Sequence, residues 1–267
     1  MKKLISPYLK LPRSEIRTNI LLSLLRENKT LAELKAEVTT RDTTILHALK
    51  DLKALKLTVK SDRAYCLTNI GIIEALILED FSSAADVLES FRDFWLLHDI
   101  TGIPPHFLRR IADLHDSILI RADSLKLTKV HENFMNILLN STRIKGISPI
   151  FHPEFIHVFN QLLSKGATVE LILTSQVFEK ITAVAESEHI KKYLAKEKLK
   201  IFLIDDLRLA LTVTNNVLSL GLFNLDREYD YNIDLTSSSR EALRWGEDLF
   251  RHHQKKGKLI LLDELNL

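Results

Sequence analysis

Hydrophobic positions between residues 14 and 55 recur at helical spacing in three short bursts. Ile16, Ile20 and Leu24 stand four apart and share one helix face, and Ser14 before them is a residue type that caps helix N-termini. Thr30-Leu31-Ala32-Glu33 has the form of a capping box and starts a second, two-turn helix carrying Leu31, Leu34 and Val38. After Thr39-Thr40 a third helix is predicted over 41–55, with Ile45, Leu49, Leu52 and Leu55 as its apolar stripe. The period then changes. Leu57 and Val59 point one way, Ser61-Asp62 turn the chain, and Tyr65 and Leu67 return it as the second strand of a hairpin.

From Ile72 to Leu97 the pattern is helical again, and Phe81-Ser82-Ser83 is where it would break. Beyond Ile100, strand and helix patterns alternate. Strands are expected at 118–120, 145–150, 169–174 and 200–204, and helices at 130–142, 153–164, 177–196 and 239–255. Asn215-Asn216 marks a hairpin between 209–213 and 217–222. Such alternation predicts an α/β domain with parallel strands joined by crossovers and one antiparallel hairpin.

Composition narrows the class. A chain of 267 residues, 46% apolar and 27% charged, suits two folded domains and excludes disorder. No apolar run reaches the roughly 18 residues that a membrane span needs. The start, Met1-Lys2-Lys3-Leu4-Ile5-Ser6-Pro7, is basic but its apolar stretch is too short for a signal peptide, so a cytoplasmic location is expected. A single cysteine, Cys66, excludes an internal disulfide and reads as a packed thiol.

The net charge of +2 conceals an asymmetry. Residues 1–67 hold 14 Lys/Arg against 7 Asp/Glu, or +7, and the other 200 hold 23 against 28, or −5. A basic head on an acidic body suggests a polyanion partner for the head alone. The polar side of the third helix displays Arg41, Thr43, Thr44, His47 and Lys50, as a helix entering a DNA major groove would, and Lys60 and Arg63 flank the hairpin tip, where phosphates would be touched. Double-stranded DNA is the expected partner.

Residues 45–52 followed by a hairpin ending Tyr65-Cys66-Leu67-Thr68-Asn69-Ile70-Gly71 resemble the recognition helix and wing of bacterial and archaeal winged-helix regulators, including a Leu-Thr-x-x-Gly ending to the wing. Three further strings are similar to a methanogen family: Trp95-Leu96-Leu97-His98-Asp99-Ile100-Thr101-Gly102-Ile103-Pro104, then Gly146-Ile147-Ser148-Pro149-Ile150-Phe151-His152-Pro153, and Ala242-Leu243-Arg244-Trp245-Gly246-Glu247-Asp248-Leu249-Phe250. That family comprises helix-turn-helix transcriptional regulators related to the filament-response regulator of methanogenic archaea. The resemblance implies transcription control in an archaeal cytoplasm, with a C-terminal domain that receives a signal. The expected fold is thus an α+β winged helix-turn-helix domain (1–71), a helical connector with a dimerising role (72–99) and a C-terminal α/β sensor domain (100–267), giving a homodimer.

The order of elements over 145–221 also resembles half of a phospholipase D-like domain. Active members carry His-x-Lys-x4-Asp on the late hairpin, and the corresponding spacing here falls on Leu209, Leu211 and Asn216, which offer no nucleophile. No Gly-rich phosphate loop occurs among seven glycines, and His252-His253, about 100° apart on a helix, make a poor chelate. No catalytic residue, metal or cofactor is expected. His152 and Glu154 follow a strand end, where α/β domains place ligands, and Ser148, His152 and Thr174 are the candidate contacts for a small-molecule effector. Two other readings stay open: a phosphodiesterase on the C-terminal scaffold, and a winged helix that binds protein rather than DNA.

Overall fold

The computed structural model describes residues 14–185 and 187–262, so the basic start of the chain lies outside the described residues. The chain divides into two units, Met1–Ala85 and Asp86–Leu267. The division falls within the segment expected to connect two domains.

In the first unit, helix α1 (Glu15–Arg26) buries Ile20, Leu21 and Leu24. Ser14 occupies its N-cap position but makes no side-chain cap bond, which corrects the sequence expectation. Its ψ is 92°, against 164° at Thr30, where a cap does form. Strand β1 (Lys29–Thr30) leads into α2 (Leu31–Glu37), and the capping box is complete: Glu33 N donates to Thr30 Oγ1 at 3.3 Å and Thr30 N donates to the Glu33 carboxylate at 2.7 Å. Glu37 accepts from Ser23 Oγ and Lys29 Nζ, which ties α2 back to α1 and β1. Helix α3 (Asp42–Ala54) turns Ile45, Ala48, Leu49 and Leu52 inward.

A hairpin of β2 (Thr58–Ser61) and β3 (Ala64–Leu67) follows, and β1 pairs with the far side of β3. Ser61 pairs with Ala64, so the tip is Asp62-Arg63, one residue later than expected, with Asp62 in the left-handed region at φ 52°. On β2 the buried side chain is Thr58, and Val59 is exposed. Helix, helix, helix and hairpin in this order are the architecture of a winged helix.

The Leu67-Thr68-Asn69-Ile70-Gly71 motif fastens this unit together. Thr68 Oγ1 donates to the carbonyls of Lys56 and Leu57 and accepts from Gly71 N at 3.1 Å, joining the end of α3 to the start of the next helix. A Cβ on Gly71 would stand 1.9 Å from the Leu57 carbonyl oxygen, so only glycine permits the approach. That next helix, α4 (Asn69–Ser90), runs unbroken through Phe81-Ser82-Ser83, contrary to expectation. Serine is tolerated in a helix flanked by strong formers such as Ala84 and Ala85. The break comes at Phe91 (φ −115°, ψ 27°), after which α5 (Arg92–Leu97) begins.

The second unit opens with β4 (His98–Asp99), the short α6 (Pro105–Leu108) and a 3₁₀ turn, then β5 (Ile118–Arg121) and α7 (Lys129–Leu139). A parallel core follows: β6 (Arg143–Ser148), α8 (Pro153–Ser164), β7 (Thr168–Thr174), α9 (Ser175–Val184), α10 (Ser187–Ala195) and β8 (Leu199–Ile204). Then come β9 (Leu209–Thr214), β10 (Leu218–Asn224), β11 (Ile233–Ser237), α11 (Arg240–Gln254) and β12 (Lys258–Leu259). Sheet order is β12-β8-β7-β6-β9-β10-β11-β5, with β4 on β10. Only β6–β7 and β7–β8 are parallel; the other pairings are antiparallel, so the single hairpin expected from sequence is part of an antiparallel half-sheet.

One core cluster, including Leu138, Ile144, Val158, Leu162, Val169 and Leu173, packs α7, α8, α9 and α10 against the parallel strands. Helix α11 supplies Trp245, fully buried, whose Nε1 donates to the Phe107 carbonyl at 3.1 Å. His98 and Asp99 brace the unit. The His98 ring contacts Phe94 O at 2.7 Å and Asp230 at 3.3 Å, while Asp99 accepts from Thr101 N and pairs with Arg208 at 3.5 Å.

Candidate functional site

Two places in the structure have the character of a site. The first is the solvent side of α3. Because Ile45, Ala48, Leu49 and Leu52 face inward, Arg41, Thr43, His47 and Lys50 are left exposed and Thr44 half-exposed. Arg41 holds the N-cap position, and its guanidinium, which carries only donors, has no part in capping the helix end. Lys60 and Arg63 are exposed on the wing, with Lys60 Nζ 5.7 Å from the centre of the Tyr65 ring. Arg17 pairs with Asp51 at 3.5 Å, and Lys35 with Asp42 at 2.6 Å. Among the described residues, Arg41, Lys50, Lys60 and Arg63 enter no ion pair, so their charges remain for an outside partner.

The second is a cavity of about 420 Å³ in the second unit, between one face of the sheet and α7 to α10. It is within the size range of pockets that hold small molecules. Its walls are mostly apolar and aromatic: Phe134 from α7, Phe155 and Phe159 from α8, Tyr193 from α10, and Tyr229 and Tyr231 before β11. Gly146 on β6 and Gly221 on β10 help to open it. A Cβ on Gly221 would meet the Tyr229 hydroxyl at 2.0 Å. Ser148 and His152 line the cavity, but Thr174 does not. Ser148 Oγ donates to Ile150 O at 2.8 Å, and His152 Nδ1 accepts from Glu154 N at 3.4 Å at the N-cap of α8. Thr174 caps α9 by accepting from Val177 N at 3.3 Å.

Asp234 escaped the sequence reading. It lies on β11, lines the cavity, is buried, and accepts from Ser219 Oγ, its hydrogen-bond partner on the neighbouring β10. Among the described residues no cation pairs with it. Burial therefore raises its pKa to about 7, and the Ser219 hydrogen bond opposes the rise. Burial likewise pushes the Tyr229 phenol well up, and the charge of Asp234 adds to the effect. All five residues of Ile233-Asp234-Leu235-Thr236-Ser237 are buried; of the polar ones, Asp234 lines the cavity while Ser237 Oγ donates to the Asp116 carbonyl. At the phospholipase-type positions, Leu209 and Leu211 are buried side chains of β9.

Residues 8–86 match the N-terminal domain of the methanogenesis regulatory protein FilR1, and residues 127–256 match its middle domain. The chain belongs to the FilR1 family. Its methanogen resemblance, drawn from the strings around Trp95, Gly146 and Trp245, is borne out. FilR1 of Methanothrix harundinacea (strain 6Ac) is 32% identical over 249 residues, which is 92% of this chain and 56% of that protein. The chain thus spans little more than half the length of its FilR1 relative. Among solved structures, TrmBL2, an archaeal chromatin protein, aligns over 92% of this chain and 94% of its own at 12% identity and a TM-score of 0.45. An IclR regulator from Alicyclobacillus acidocaldarius aligns over 94% and 97% at 10% identity and a TM-score of 0.25. Among the described residues no helix is long and apolar enough to cross a membrane.

Proposed function

We propose that this chain is a DNA-binding transcriptional regulator whose second unit binds a small, mainly apolar effector. The observation that carries the DNA reading is the exposed, unpaired set Arg41, Lys50, Lys60 and Arg63, arrayed with Thr43, Thr44 and His47 on α3 and the wing. Helix α3 enters the major groove, where Thr43, Thr44 and His47 meet base edges, while Arg41, Lys60 and Arg63 hold phosphates. FilR1 is named a regulatory protein of methanogenesis, and membership of its family supports the same class of role here.

The effector reading rests on the cavity. Ser148 and His152 are its contacts from the sequence reading, and Asp234 is a buried carboxyl on its wall with which a ligand donor or cation would pair. Thr174 is left with its capping role. Leu209 and Leu211 supply no nucleophile, which favours binding over phosphodiester chemistry.

A second copy completes the regulator. Ile70, Ile73, Ile77, Phe81 and Leu88 lie on one stripe of α4 and are each 44–59% exposed. Two such helices packed together bury the stripe and set two heads on a pseudo-palindromic site. Effector binding that favours one arrangement of the pair shifts operator affinity, and a coupling of about 1–3 kcal/mol gives roughly 5–150-fold.

The test is selection of bound sites from random duplex DNA, followed by titration of the selected site with the wild-type chain, Arg41→Ala and Lys60→Ala. Paired half-sites and a weaker, less salt-dependent complex in both variants are expected. Equal affinity in all three proteins would overturn the docking.

A further inference from the structure

At the wall of the cavity, three metal-ligand side chains converge from two helices. His131 stands in the first turn of α7, His152 at the N-cap of α8, and Glu154 in the first turn of α8. His131 Nε2 is 2.8 Å from Glu154 Oε2, and His152 Nδ1 is 4.0 Å from the same oxygen. One nitrogen of each imidazole and one carboxylate oxygen all lie within 4.8 Å of one another. The two rings are 4.7 Å apart, and Phe155 lies against both, at 6.3 Å and 5.4 Å, so their positions are set by packing as well as by the backbone.

We propose that His131, His152 and Glu154 form a binding site for a divalent transition ion of the zinc class, with its remaining coordination position open to the cavity. Imidazole and carboxylate together suit Zn²⁺ and its neighbours in the first row, whereas Mg²⁺ and Ca²⁺ prefer all-oxygen sets. Ligand atoms around a tetrahedral zinc at about 2.0–2.2 Å stand roughly 3.3–3.6 Å apart. The present separations of 2.8 Å and 4.0 Å bracket that value, so small side-chain rotations bring the three into register. Three protein ligands with a free position are the arrangement of sites that exchange a ligand, not of closed structural ones. Both histidines also line the cavity, so a coordinating group of the effector can reach the ion.

A simpler account of the same residues is a His131–Glu154 hydrogen bond beside a helix-capping His152. That account predicts no metal affinity. It also leaves the His152 cap long, at 3.4 Å, and the carboxylate shared between two imidazoles with no Lys or Arg on it among the described residues.

The experiment uses the full chain, stripped with chelator and titrated with Zn²⁺ by calorimetry and with Co²⁺ by visible absorption at pH 7.5. One ion per chain at micromolar or tighter affinity is expected, together with the visible band of low-coordinate Co²⁺. His131→Ala, His152→Ala and Glu154→Gln should each weaken binding at least tenfold, and His252→Ala should leave it unchanged. Far-UV circular dichroism without metal checks that each variant is folded. Should a variant fail to fold, paramagnetic shifts of the His131 and His152 ring protons in the wild-type Co²⁺ form decide the matter. No binding below about 100 μM, binding that survives loss of both His131 and His152, or shifts on other histidines would overturn the site. The measurement needs neither DNA nor effector, so it stands or falls apart from the regulatory reading.

Discussion

At the scale of single residues, two buried ionisable groups act on stability in opposite directions. Asp234 is raised to about 7 by burial, so in the window from about 4 to 7 the folded chain holds a proton that the unfolded chain has lost. Stability therefore falls as pH rises through this window, by an amount on the order of 3–4 kcal/mol. His253 is lowered to about 4 by burial, against a hydrogen bond to the Gly102 carbonyl at 3.1 Å. Its folded form stays neutral where the unfolded chain is protonated, so its contribution is present above about 6.5 and is lost as pH falls towards 4, by about 3 kcal/mol. The two slopes nearly cancel. Urea unfolding across pH 4.5–7 should show Asp234→Asn gaining stability relative to wild type as pH rises. His253→Asn should show the reverse trend, and parallel curves for all three would contradict both assignments. Gly71 gives a different prediction. Gly71→Ala forces a methyl into the Leu57 carbonyl and should lower the unfolding free energy by about 2 kcal/mol or more, seen as a lower urea midpoint. The sequence showed this glycine as part of a motif; what it could not show was the carbonyl 1.9 Å away.

Single elements were legible where one periodicity ruled. Helices α2, α3, α8 and α11 follow their apolar spacing, α2 its capping box as well, and the β9–β10 hairpin follows Asn215-Asn216. β11 was not legible, because a short segment holding Asp234, Thr236 and Ser237 reads as surface until the sheet and helices enclose it. The candidate site divides in the same way. His152 drew attention by its place after a strand end, but His131 is brought beside it by α7, a separation that spacing cannot span. Helix α3 carries its own prediction. If Thr43, Thr44 and His47 read bases, then Thr43→Ala or His47→Ala should relax preference at particular base pairs by about 1–3 kcal/mol. Lys60→Ala and Arg63→Ala should instead weaken all sequences alike, each reducing the salt slope by about one. Fluorescence anisotropy on matched and mismatched duplexes from 50 to 300 mM salt separates the two behaviours.

For the molecule as a whole, assembly is the first question. Ile77 is 58% exposed at the centre of the α4 stripe, while Ala75 and Leu78 on the same helix are buried. Ile77→Glu should leave the fold intact and yield a monomer in sedimentation experiments, with operator affinity at least tenfold lower. A monomeric wild-type chain would remove the dimer from the scheme. The roughly 420 Å³ hollow has a consequence of its own. Space that side chains leave unfilled forfeits dispersion contacts, so the second unit is less resistant to heat than a solid one of equal size. A molecule that fills the hollow returns those contacts to the folded form alone, and its occupancy appears as a higher melting temperature. Melting curves over a metabolite collection would thus identify what fits the hollow, with no reference to a target gene.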